Sequence, residues 1–282
     1  MCAKDTRSTP WCLQFAKTLT GRPVDSANGC RRWQLTWLPT LHRGYAVSHR
    51  STVRRVVTVL LSLGAVLGVA DPAAAVNAPG GGSPTAWATS RSADGKLVRW
   101  NPCAPIPYWV NPSGMPPAGM AEVEESLRRV SAESGVAFRY AGTQRTVPKP
   151  GYVGPANGLL FAWGTPALNK GVLNANEAGV AQSGLKVHRD NTIEVVSGYV
   201  LINSEFARMY RQPTGFGTRM PSGFILMHEL GHIMGLEHVY TDRWQVMNTY
   251  SRLTNSIWGA GDRAGLRALG RAGGCIKNSL RK

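Results

Sequence analysis

The sequence predicts an α+β domain over residues 95–282, and three observations support this. Five segments have the length and apolar character of strands: 106–111, 136–140, 159–163, 179–187 and 193–203. Three further segments are predicted helices: 120–134, 221–236 and 262–269. The region of about 190 residues is long enough for one domain with an apolar core and contains no internal repeat.

The segment 228–238 reads H-E-x-x-H-x-x-G-x-x-H. His228 and His232 lie four residues apart, so on a helix both imidazoles can point at one metal ion. Glu229 projects near the same place and could take a proton from a zinc-bound water. Gly235 can end the helix in a left-handed conformation, after which the chain can turn back and present His238 as a third ligand. Three protein nitrogens leave a fourth zinc position for water, as in catalytic sites.

The alternative interpretation of this segment is a buried amphipathic helix with incidental histidines. A bare H-E-x-x-H arises by chance on helices, whereas the added glycine and third histidine make the full pattern more specific. The chain has six histidines. Two of them precede residue 50, and three of the other four fall within this segment. This concentration favours the metal site.

At these residues the sequence resembles the metzincin metallopeptidases and, within them, the matrixin-like secreted bacterial members. Metzincins carry a methionine-containing turn beneath the zinc site, and Met247 in segment 246–250 is the candidate. Taken alone, Met247 could equally fill a gap in the core. The resemblance implies a twisted, mostly parallel five-stranded sheet with an antiparallel edge strand, a zinc helix, a Met-turn and a C-terminal helix. It also implies that the edge, here 177–185, binds an extended peptide by strand addition.

Several positions depart from the better-known metzincin subfamilies. Val239 follows the third histidine where several of them have a polar residue, and Tyr250 lies three residues after Met247, so we do not assign it as a ligand. His188, between Lys186 and Arg189, is predicted to be a surface residue, and we expect one zinc. No Asp-rich calcium loop is present, so Ca²⁺ is possible but not indicated.

Asp262 has two interpretations. The resemblance implies that its carboxylate forms a hydrogen bond beneath the Met-turn. Its position at the start of the last predicted helix equally favours a role as N-cap.

Residues 1–75 are predicted to be a leader with a secretion signal. Arg54 and Arg55 precede an uncharged run at 56–70 and the small residues 73–75. The alternative, a membrane anchor, is disfavoured because this run is shorter than the ~20 residues needed to span a bilayer. A twin-arginine export signal matches poorly. Since basic residues should begin a signal peptide, our hypothesis is that translation starts near Val47 and that residues 1–46 are untranslated.

Residues 76–94 are rich in Gly, Ala, Ser and Pro and are predicted to be a flexible linker or short pro-segment before the catalytic domain at 95–282. We expect a secreted protein with no stable membrane span after signal cleavage.

Two cysteines, Cys103 and Cys275, lie outside the leader, which holds Cys2, Cys12 and Cys30. Two cysteines in an exported chain favour a disulfide. The alternative is that Cys103 ligates the zinc as an inhibitory thiolate, as matrixin pro-segments do, although the sequence around it matches that pattern poorly.

The formal net charge is +16, of which residues 76–282 carry +9. A positive surface can favour anionic polymers or acidic substrates. The basic residues are spread singly along the chain, so we predict no nucleic-acid binding.

The sequence therefore predicts a monomeric, secreted zinc metalloendopeptidase that acts on a protein or peptide substrate, with Glu229 as general base. The alternatives are a zinc amidase acting on cell-wall peptides and a catalytically silent binding module of the same fold.

Overall fold

The computed structural model describes residues 80–217, 220–251 and 256–279, together with the backbone of residues 31–36. Apart from that short segment, the predicted leader and its signal sequence lie outside the described residues, as do Cys2, Cys12 and Cys30. Within this described part, no helix is both long and apolar enough to cross a membrane.

The predicted mixture of strands and helices is confirmed, and boundaries shift by a few residues. The described strands are β1 (Arg31–Thr36), β2 (Ala88–Thr89), β3 (Ile106–Val110), β4 (Phe138–Thr143), β5 (Leu159–Gly164), β6 (Glu177–Val187), β7 (Ile193–Asn203) and β8 (Leu236–Glu237). The described helices are α1 (Gly119–Ser134), α2 (Pro166–Asn169), α3 (Ser204–Met209), α4 (Ser222–Met234) and α5 (Ala260–Leu269), followed by a 3-10 turn at Arg271–Gly273.

The main sheet has the strand order β1-β6-β7-β5-β3-β4. β7, β5, β3 and β4 are parallel to one another, and β6 runs antiparallel to β7. The five predicted strands therefore form a mostly parallel sheet in which β6 is the antiparallel member.

β1 is a difference from the prediction, because residues 1–50 show no strand period and β6 was expected to be outermost. The backbone of β1 pairs antiparallel with β6, with Arg31 opposite Ser183 and Gln34 opposite Val180. The physical reason is that an edge strand presents free N–H and C=O groups. These groups can accept another strand through backbone hydrogen bonds, whatever its side-chain pattern.

Two apolar layers lie on opposite faces of the sheet. Alternate residues of β5 divide between them, since successive strand side chains point to opposite faces. Leu159 and Phe161 join the larger core, which α1, α4 and α5 cover, and Leu160 and Ala162 join the smaller one. Because both faces are covered, all six residues of β5 are buried. This layering presses α4 against the face of β6 and β7.

The segment before the domain, predicted as a linker, is in contact with the domain from Gly80 onward. The Gly81 carbonyl accepts a hydrogen bond from the Ala260 N–H at 3.0 Å, and the Ser83 N–H donates to Asp242 Oδ2 at 2.7 Å. β2 pairs with β8, and Trp87 packs on the core. A Cβ at Gly82 (φ +92°) would lie 2.4 Å from the Gln245 side chain. The glycines that indicated flexibility thus permit close packing instead.

Candidate metal centre

Helix α4 carries the first two histidines in a fully buried setting. Every residue of α4 after Ser222 is buried, including His228 and His232. The helix ends at Gly235, whose φ of +104° is left-handed. A Cβ at Gly235 would lie 2.6 Å from the Val98 carbonyl oxygen, so the turn requires glycine. The chain then reverses through β8 and brings His238 back to α4.

The three imidazoles converge through their Nε2 atoms. The Nε2 of His238 lies 3.1 Å from the Nε2 of His228 and 3.1 Å from that of His232. His228 Nδ1 lies 2.7 Å from the Val246 carbonyl oxygen, and His232 Nδ1 lies 2.9 Å from that of Leu236. Since a carbonyl can only accept, each Nδ1 carries the proton and each Nε2 presents a lone pair.

The spacing of these nitrogens fits a single zinc ion. Two nitrogens at tetrahedral positions, each 2.0–2.1 Å from zinc, would be about 3.3 Å apart. His228, His232 and His238 also form a group that could hold a metal ion by the mutual approach of their ligand atoms. The donor set, three neutral imidazoles, is one that zinc takes in catalytic sites.

Burial keeps these histidines neutral. It lowers the pKa of His228 to about 3, and the neighbouring His238 lowers that pKa further. It lowers the pKa of His238 to about 4, and it holds the pKa of His232 well below its ordinary value. Neutral imidazoles do not have to lose a proton before they bind a metal at pH 7.

Glu229, beside His228, is a buried acid with neither carboxylate oxygen paired among the described residues. Burial raises its pKa well above the ordinary range, and the charge of Glu177 raises it further. The side chain lies against β6, since a Cβ at Gly179 would be 3.1 Å from Glu229 Cγ. Because buried polar groups in folded proteins are almost always hydrogen-bonded, this carboxyl is suited to a partner from outside the chain.

Met247 lies directly beneath α4. It is buried, and a Cβ at Gly231 would be 2.4 Å from its sulfur. The Met247 side chain thus packs against the helix that carries His228 and His232. Only glycine at 231 allows this approach.

Asp262 takes one of the two roles that the sequence left open, a hydrogen bond to segment 246–250. The alternative, a role as N-cap, is wrong, because Gly259 is the N-cap of α5 and Asp262 is the third residue of the helix. Its Oδ2 accepts hydrogen bonds from the Val246 N–H at 2.5 Å and the Gly259 N–H at 2.9 Å, and its Oδ1 lies 3.3 Å from the Met247 N–H. It therefore satisfies the N–H of the N-cap residue Gly259 and supports the backbone at residues 246–247. Burial raises the pKa of Asp262 to about 6, and the three backbone hydrogen bonds oppose that rise.

Gln245 and Tyr240 also lie in this region, and the sequence did not single out either residue. Gln245 Oε1 accepts from the Asp262 N–H at 2.9 Å, while its Nε2 donates to Asp242 at 2.8 Å. The Tyr240 hydroxyl lies 3.2 Å from His238 Nδ1. The position of Tyr240, two residues after His238, could have suggested that it lies near the cluster. No local sequence pattern indicates a role for Gln245.

The two cysteines outside the leader are joined. The structure forms a disulfide between Cys103 and Cys275, whose Cα atoms are 5.5 Å apart. In this arrangement the Cys103 sulfur is not a thiolate that could reach the histidine cluster.

The prediction that His188 is a surface residue is wrong. His188 is buried, with its Nε2 2.8 Å from Glu194 Oε2. The Ser279 hydroxyl donates to the other oxygen of Glu194 at 2.6 Å. The charged neighbours Lys186 and Arg189 suggested exposure, but the turn between β6 and β7 folds residue 188 back onto residue 194.

Comparisons with known proteins give distant structural likenesses only. No protein-family model and no curated protein matches the chain. The fold is similar to the crystal structure of metalloproteinase-II from Bacteroides fragilis, with a TM-score of 0.36 and 16% sequence identity over 71% of this chain and 60% of that chain. The chain thus spans less than two thirds of that structure. A TM-score this low has no bearing on function, which has to rest on the geometry of the site.

Proposed function

We propose that this chain is a secreted, zinc-dependent endopeptidase related to the matrixin-like metzincins. One observation carries the proposal: three neutral imidazoles converge through Nε2, and beside the first of them on the same helix lies a buried carboxyl that has no hydrogen-bond partner among the described residues. Metal ligands beside a general base form the constellation of metal-assisted hydrolysis.

The chain's own residues have distinct tasks in this chemistry. His228, His232 and His238 would hold the zinc, which lowers the pKa of a water toward ~7 and polarises a carbonyl. Glu229 accepts the proton of the attacking water on its carboxylate and passes it to the leaving amine. The Val246 and Leu236 carbonyls fix two of the rings, and the Met247 side chain supports the helix from below.

The position of β6 supports a peptide as substrate. Gly179 of β6 contacts Glu229, so the strand runs beside the general base. On its side away from β7, β6 pairs with an antiparallel strand, β1, through backbone hydrogen bonds. The same type of pairing would hold an extended peptide next to the histidines, with neighbouring pockets selecting side chains.

Export from the cell is supported by two independent features. The Cys103–Cys275 disulfide is a bond that persists in oxidising compartments. The apolar run at 56–70 after paired arginines has the character of a secretion signal.

The test is to purify the exported protein, determine zinc by elemental analysis and follow cleavage of a quenched peptide library with and without a chelator. We expect one zinc per chain and chelator-sensitive cleavage. Glu229→Gln should retain zinc, because Glu229 is not a ligand, and should lower kcat/KM by about 10²–10⁴-fold.

Three outcomes would contradict the proposal. A folded protein without zinc would mean that the histidine cluster is not a metal site. Zinc without cleavage of any library peptide would favour a binding module, or an amidase whose substrate is a cell-wall peptide. Undiminished activity in Glu229→Gln would remove the assigned general base.

A further inference from the structure

We propose that Tyr240 is a positioning residue for the third metal ligand: its hydroxyl accepts the Nδ1 proton of His238 and so directs Nε2 toward the ion. The inference rests on the proposed zinc site and adds to it a residue outside the H-E-x-x-H-x-x-G-x-x-H pattern. Tyr240 lies two residues after His238, in the loop that follows β8.

The three histidines differ in what holds Nδ1. For His228 and His232 the partner is a backbone carbonyl, and both hydrogen bonds are buried. For His238 the structure places a side-chain oxygen, the Tyr240 hydroxyl, 3.2 Å from Nδ1. A neutral imidazole has one proton. If that proton is on Nδ1, Nε2 presents the lone pair that a metal needs, and the partner of Nδ1 must accept.

The hydroxyl of Tyr240 can take this accepting role while its own proton points elsewhere. The ring adds a second contact, since the rings of His238 and Tyr240 meet nearly edge to face with centroids 5.9 Å apart. Two contacts from one side chain restrict both the tautomer and the rotation of the His238 ring, which is the ordinary task of a residue behind a metal ligand.

Tyr240 holds His238 from the solvent side of the site. Its side chain is 68% exposed, whereas the carbonyls that hold the other two histidines are covered by the core. Water can therefore compete for His238 Nδ1. We expect the loss of the hydroxyl to lie near the lower end of the range for groups behind metal ligands, a weakening of zinc binding by about 10-fold.

The experiment compares three full-length exported proteins: wild type, Tyr240→Phe and Tyr250→Phe. Tyr250 is a matched control because it lies in the same post-helix segment and is 56% exposed, and its hydroxyl forms no hydrogen bond among the described residues. The zinc dissociation constant is measured by competition with a chromophoric chelator. Unfolding of each metal-free protein is measured in parallel, because a purely structural role would appear there.

The expected result is zinc binding about 10-fold weaker in Tyr240→Phe, unchanged binding in Tyr250→Phe, and metal-free stability alike in all three. At saturating zinc, kcat and KM of Tyr240→Phe should match wild type. Equal zinc affinity in wild type and Tyr240→Phe would overturn this inference and leave the proposed function standing. Equal affinity together with a lower kcat would place the hydroxyl on the substrate instead. A wild-type protein that binds no zinc would overturn both.

Discussion

His188 and the cluster of His228, His232 and His238 have opposite surroundings. The His188 ring forms a hydrogen bond with one carboxylate oxygen of the buried Glu194. The Ser279 hydroxyl donates to the other oxygen of the same carboxylate. In the cluster of His228, His232 and His238, the Nε2 atoms face one another. A buried polar group is costly unless it is paired. His188 is paired within the chain and has a structural role. The clustered histidines instead direct their Nε2 atoms at one point, an arrangement suited to a ligand.

Glu194, the partner of His188, also helps to hold residues 275–279 against the domain. We call the three contacts that do this the tail clamp: the Cys103–Cys275 disulfide, the Ile276–Asn101 hydrogen bond and the Ser279–Glu194 hydrogen bond. The Ile276 N–H donates to Asn101 Oδ1 at 3.2 Å, next to the disulfide. The tail clamp stabilises the fold, whereas the histidine cluster is the proposed metal site, so substitutions can separate the two roles.

The largest effect on stability should come from the disulfide of the tail clamp. Cys103→Ser combined with Cys275→Ser opens a link between residues 172 positions apart. Removing a native disulfide costs about 2–5 kcal/mol, so the free energy of unfolding in urea should fall by that amount. Zinc affinity of the folded fraction should not change. A gain in activity or zinc affinity would instead mean that Cys103 restrains the metal site.

The second prediction compares two substitutions, one in the histidine cluster and one at His188. His238→Gln removes a ligand and should weaken zinc binding by more than about 100-fold, beyond what groups behind the ligands contribute. His188→Leu leaves Glu194 without its buried donor and should lower the free energy of unfolding by about 1–3 kcal/mol, with zinc affinity unchanged. Chelator competition and urea unfolding on both variants provide the two measurements. Weaker zinc binding in His188→Leu would show that the two regions are coupled.

The same comparison separates what sequence can predict from what it cannot. The convergence of His228, His232 and His238 could be predicted because a helical repeat and a left-handed glycine at 235 are local properties, and the structure brings the three histidines together. β7 was also predicted with its observed bounds, since β-branched and other apolar residues make up most of the segment.

The remaining features depend on how separate segments pack against one another. The Ser83–Asp242 hydrogen bond joins residues 159 positions apart, and composition alone predicted a free linker at Ser83. The burial of His188 depends on a turn that brings Glu194 across from it, and its charged neighbours suggested the opposite. Side chains satisfied by tertiary partners carry no local periodicity, so pattern analysis misses them.

The smallest effect concerns pH and the metal-free protein. Burial lowers the pKa of His238 to about 4 from an ordinary value of 6.5. Between these values the unfolded chain binds the proton and the folded chain does not, so His238 stabilises the fold above pH 6.5 and this contribution is lost as pH falls toward 4. Asp262 acts in the opposite direction, because its pKa is raised to about 6 and its protonated form favours the fold.

The difference between the stability profiles of wild type and His238→Gln, which cancels the Asp262 contribution, should therefore increase from pH 4 to pH 7 by on the order of 1 kcal/mol. Urea unfolding of both zinc-free proteins across that range measures it, and parallel profiles would mean that His238 titrates alike in the folded and unfolded chains.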